Sequence, residues 1–126
     1  MKRRLGAALL ILAALCAVST IVSEEIMRIN ERAESGVREA ISLAGEGDLS
    51  SAAAKFEKTA RTWRDNKPFL EALLHHESIE HAEEGFLTAM RAMDVSPEFF
   101  MMEADKLTAT LHTLAEGDRP EAGNLF

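Results

Sequence analysis

Residues 66–94 read NKPFLEALLHHESIEHAEEGFLTAMRAMD. Read as one helix, they place Phe69, Ala72, His76, Ile79, Glu83, Phe86, Met90 and Met93 at alternating spacings of three and four, an unbroken heptad seam. The seam is apolar at both ends, and its middle holds His76 and Glu83. Glu80 lies one turn from each, within ~40–60° around an axis that turns 100° per residue. The spacing therefore predicts an inward-leaning polar strip of His76, Glu80 and Glu83 inside a helical domain.

Three histidines and two glutamates fall within His75–His81, a composition that invites a metal reading. The helical angles oppose it. With His76 at zero, His81 falls near 140° and His75 near −100°, so one helix cannot converge all three on an ion. His-Glu-x-x-His fails because Glu80 stands where the second histidine is needed, and the inverted zinc motif and the Glu-x-x-His di-iron pattern fail as well. The structural reading makes His76–Glu80 and Glu77–His81 i,i+4 pairs worth ~0.2–0.5 kcal/mol each. It gives the seam acid a partner among Arg61, Arg64 and Lys67. Two competing readings remain: a metal site drawing on His76, Glu80 and Glu83, and a proton-responsive site, since histidine titrates near neutrality.

Working outward, the preceding helix shows Leu49, Ala52, Ala53, Phe56, Ala60 and Trp63 on one face, with Asp48 as its N-cap and Trp63 as core. Asn66 and Pro68 fit the start of the next helix. Ser96-Pro97-Glu98 is a strong helix start: cap, proline, then an acid near the positive end of the helix dipole. The last helix carries Phe100, Ala104, Leu107, Leu111 and Leu114, and Gly117 ends it. Met90, Met93, Met101 and Met102 read as adaptable core. The first helix of the domain, from about Ile21 to Ala44, has the stripe Val22, Ile26, Ile29, Ala33, Val37, Ala40 and Ala44, with Gly36 as a weak spot and Gly45 and Gly47 at its end. The two EGD turns, at 46–48 and 116–118, do not mark a repeat, because the helices between them differ in length.

The chain opens with MKRRLGAALLILAALCAVSTIVSEE. Lys2, Arg3 and Arg4 precede an uncharged run in which Leu5 to Val22 would span ~27 Å as a helix, enough for a hydrocarbon core. The expectation is a retained anchor, with the cations in the cytoplasm and the rest outside. The alternative is a cleaved signal, for which Ala17-Val18-Ser19 is an imperfect site. Leu15 before Cys16 argues against lipoprotein processing.

The 126 residues carry a net charge of −7, and setting aside the three leading cations leaves −10. Such an acidic domain excludes nucleic acid as a partner and opposes attraction to anionic lipid. The lone Cys16 lies in the anchor, so no disulfide can form within the domain. With no strand alternation, phosphate loop or nucleophile elbow, neither a catalytic residue nor a cofactor is expected.

Trp63, His76 with the Ile79-Glu80 pair, the leucines of the last helix and a closing Asn124-Leu125-Phe126 resemble a family of short bacterial membrane-anchored helical proteins of unknown function. The resemblance implies a basic start, one membrane segment and a small helical domain. It implies no activity, and it draws interest to Trp63, His76 and Glu80 as structural residues.

The expectation is thus an all-α chain: a transmembrane helix (1–23), an antiparallel four-helix domain (24–117) and a tail (118–126). Its role would be a non-catalytic envelope interaction or assembly module, held to the membrane by the N-terminal helix and meeting a protein partner. The alternatives are the metal-binding or pH-responsive domain and a secreted helical protein.

Overall fold

The computed structural model describes residues 1–117; the tail at 118–126, with Asn124-Leu125-Phe126, lies outside the described residues. Five helices follow one another: α1 (Lys2–Gly45), α2 (Leu49–Asp65), α3 (Lys67–Leu73), α4 (His76–Met93) and α5 (Pro97–Gly117). The described residues hold no strand.

Helix α1 is uninterrupted for 44 residues, about 66 Å at 1.5 Å per residue. Its leading residues, 2–21, are exposed, and its second half buries Ile29, Asn30, Ala33, Gly36, Val37, Ala40 and Ala44. The expected stripe is therefore seated from Ile29 onward, while Ile26 is only half-buried against the core. Small residues on this face let α2 and α5 approach closely. Gly36 marks the tightest point. A Cβ there would fall against the Thr59 hydroxyl and within 2.7 Å of its Cγ2. The glycine is thus a fitted contact with α2 and not the weak spot that helix propensity suggests. Gly47 takes φ 86°, the left-handed conformation that ends a helix at low cost. Asp48 caps α2 by accepting from the Ser51 N–H at 3.1 Å. Those hydrogen bonds hold its carboxyl below the usual range.

Helices α1, α2, α4 and α5 form an up-down-up-down bundle. Lys55 and Glu39 meet at 3.1 Å across α1 and α2. His112 reaches Glu34 across α5 and α1, and the opposite end of the same pair brings Met101 beside Gly45. Phe56 of α2 meets Phe86 of α4 at 5.8 Å and Phe100 of α5 edge-on at 5.2 Å, while Trp63 lies 5.3 Å from Phe86. Phe100, Ala104, Leu107, Leu111 and Leu114 are all buried, as their spacing predicts. The Ser96 hydroxyl accepts from the Phe99 N–H at 3.1 Å, the cap expected at the start of α5. Among the methionines, Met90, Met93 and Met101 pack against the core, whereas Met102 is exposed.

The expected single helix over 66–94 is broken. Leu74 (φ −117°, ψ 167°) and His75 (φ −65°, ψ 129°) are extended, separating α3 from α4. Lys67 and Glu83 meet at 2.5 Å, although sixteen residues of continuous helix would hold them ~24 Å apart. The break turns Leu70 into the core and leaves Phe69 37% exposed, so the α3 half of the heptad seam does not exist. Asn66 does not cap α3 either: it has helical φ and ψ, and its side chain donates back to the Thr62 carbonyl at 2.9 Å.

Candidate functional site

The break decides where the histidine segment points. α4 starts at His76, and its buried positions are Ile79, Ala82, Phe86, Ala89 and Ala92. His76, three residues before Ile79, occupies an unfilled corner of the first turn. Its Nε2 lies 2.9 Å from Glu80 Oε1, and the two side chains are 69% and 58% exposed. A pair so open to water contributes little. The expected inward strip is therefore corrected: His76 and Glu80 form an exposed pair along the helix surface. Glu83 alone turns inward, and it is half-buried.

Glu83 takes Lys67 as its partner, while Lys67 also lies 3.6 Å from Glu71. The hydrogen bond that the Lys67 ammonium donates to the Glu83 carboxylate is the main reason the ammonium is held above its ordinary range. Of the three candidate partners, Lys67 makes the contact; Arg61 lies 3.8 Å from Glu57 on its own helix. Among the described residues, no three His, Cys, Asp or Glu side chains gather in a way that could hold a metal.

His81 of α4 and His75 of the extended break line a groove of about 410 Å³ between the start of α4 and the end of α5. Ser78, Thr110, Thr113 and Leu114 complete its walls. Thr110 and Thr113 donate to the carbonyls of Lys106 and Ala109 at 3.1 and 2.9 Å. Their oxygens keep acceptor capacity toward the groove. The two histidines thus border one groove from different elements, the break and α4, and α5 supplies its other wall.

A larger cavity, about 580 Å³, lies between α1 and α2 at the end nearer the apolar run. Arg28, Arg32, Lys55 and Lys58 alternate around it with Glu25, Glu31 and Glu39, and mixed charge of this kind selects neither anion nor cation. Trp63 forms part of its wall and is 2% exposed. The indole Nε1–H and both amide atoms of nearby buried Asn30 have no hydrogen-bond partner in the protein.

Sequence reasoning passed over two groups. Asn30 is polar but falls in the same phase as Val37 and Ala44, and that phase was its signal. His112 sits between Glu34, at 3.6 Å, and Glu116, at 3.1 Å, with Arg38 donating to the other Glu34 oxygen at 2.6 Å. Only the i,i+4 spacing to Glu116 was legible; Glu34 comes from α1. No family model matches the chain, and comparison with curated proteins and with solved structures finds no match either. The resemblance to short membrane-anchored helical proteins thus rests on its own few residues, of which Trp63 is core and His76 and Glu80 are surface.

Proposed function

We propose that the chain is a single-span membrane protein whose bundle is a non-catalytic interaction or assembly module outside the cytoplasm. The observation that carries the reading is α1 itself. One helix is long and apolar enough to cross a membrane, its apolar window is wholly unburied, and it runs without a break into the middle of the bundle. An apolar helix of that length left bare in water would be an aggregation hazard; in lipid it is satisfied. The positive-inside rule supports this orientation: Lys2, Arg3 and Arg4 precede the span and favour a cytoplasmic N-terminus, with the bundle on the other side of the cell membrane.

The test is extraction and accessibility of the full chain. The protein should stay with membranes through carbonate and high-salt washing, and protease added from outside should remove the bundle. Recovery of a soluble form beginning near Thr20 would overturn the anchor in favour of a secreted protein.

A further inference from the structure

The membrane-facing end of the bundle holds a feature that the anchor alone does not explain. α3 is a seven-residue helix that links α2 to α4 at that end, and two large apolar side chains on it stay exposed: Phe69 at 37% and Leu73 at 45%. Their depth follows from α1. The Gly36–Thr59 and Glu39–Lys55 contacts fix the antiparallel register of α1 and α2, so Asn66, the residue before α3, stands beside about Ile29, and α3 begins ~10 Å beyond the apolar run that ends at Val22. The headgroup layer on each side of a bilayer is ~5–8 Å deep. A helix with its side chains is ~10–12 Å across, so side chains on the membrane side of α3 reach ~5–6 Å below its axis, into that layer.

Its orientation follows from Lys67. At 100° per residue, Lys67 and Glu71 share one side of α3, and Phe69 and Leu73 share a side ~160° away. The Lys67 ammonium contacts Glu71 and reaches Glu83, which stands seven residues along α4, away from the membrane end. The lysine side of α3 is thus turned away from the span, and the side carrying Phe69 and Leu73 is turned toward it. Leu70, between the two sides, is fully buried and pins the helix to the core.

We infer that α3 is an interfacial helix that inserts Phe69 and Leu73 into the headgroup layer of the membrane that α1 spans. The occupant of this apolar face is lipid. Lys67 and Glu71 cancel within α3 and the domain is acidic, so the contact is hydrophobic and suits zwitterionic lipid. The inference rests on the anchor reading, and one experiment separates the two.

Full-length protein with Cys16→Ser is given a single cysteine by Phe69→Cys, Leu73→Cys, Leu10→Cys or Val95→Cys. Each is labelled with an environment-sensitive nitrobenzoxadiazole dye and reconstituted into phosphatidylcholine vesicles with or without doxyl-labelled lipid, after its helical circular dichroism is checked. The labels at 69 and 73 should emit to the blue of the label at 95, which lies at the far end of the bundle, and should be quenched best by doxyl groups near the headgroup. The label at 10 should be quenched best by deep doxyl groups. If 10 is quenched while 69 and 73 behave like 95, the interfacial helix is overturned and the anchor stands. If 10 is not quenched, the anchor fails and the inference with it. Labels at 69 and 73 that are shielded from water yet untouched by doxyl lipid would mean that protein, such as a second copy of the chain, covers this face, and would also overturn the inference.

Discussion

Asn30 and Trp63 show how single residues set the stability of this bundle. Both are buried, and both carry polar atoms with no protein partner. A buried donor or acceptor left unpaired costs about 1–3 kcal/mol. Asn30→Leu, which keeps the volume and removes the amide, should therefore raise the thermal midpoint; a fall would mean that the amide is satisfied after all. Trp63→Ala should act oppositely, costing ~3–5 kcal/mol through the void left beside Phe86, and enough to unfold a marginal small domain. A native melting curve for that variant would show that the indole is not part of the core. Trp63 was legible because it continues an apolar stripe. His76 was misplaced because its angle was measured along a helix that stops at Leu73 and restarts at His76. The geometry of one turn was right, but the element it was attached to was not.

At the scale of elements, the contacts that matter most are those where two helices come too close for ordinary side chains. Gly36→Ala would gain up to ~1 kcal/mol of helix propensity but must push Thr59 aside, and overpacking of this kind typically costs ~1–3 kcal/mol. The variant should melt below the wild type, and adding Thr59→Ala should recover much of the loss. Recovery by neither substitution would show that α1 and α2 are not in this register. The short α3 depends on the Lys67–Glu83 contact. Because this lysine is raised in the folded state, its contribution is fully present below the unfolded lysine value and is lost as pH climbs through the folded value. Unfolding followed from neutral pH to above about 10.5, the ordinary lysine value, should show an alkaline loss of stability that Glu83→Gln reduces. No local signal announced the break that makes this contact: Leu74 and His75 are neither glycine nor proline, and the extended backbone there is imposed by burial of Leu70 and by the reach of Lys67. The caps at Asp48 and Ser96 were legible because they depend only on residues three positions away.

Over the whole molecule, the all-helical architecture, the apolar leading segment, the buried face of α5 and most of that of α2 could be read directly, since periodicity reports burial wherever a helix runs unbroken; on α2 the first residue of the expected stripe, Leu49, is exposed and Thr59 is buried instead. The arrangement of clefts could not, because each one combines residues from helices distant in sequence. The unbroken α1 has a further mechanical consequence. With no hinge between span and bundle, the heading of the bundle above the membrane is an angular phase, fixed by how many residues separate Val22 from Ile29. One alanine inserted after Ser23 should swing the whole bundle by ~100° and raise it by ~1.5 Å, whereas seven should nearly restore its heading and raise it by ~10 Å. A function that depends on which side faces a neighbour should fail with one insertion and return with seven. Contact of Phe69 with lipid should instead be lost at seven, when height alone has changed. Azimuth and altitude are thus set by the same stretch of helix and can be dialled separately.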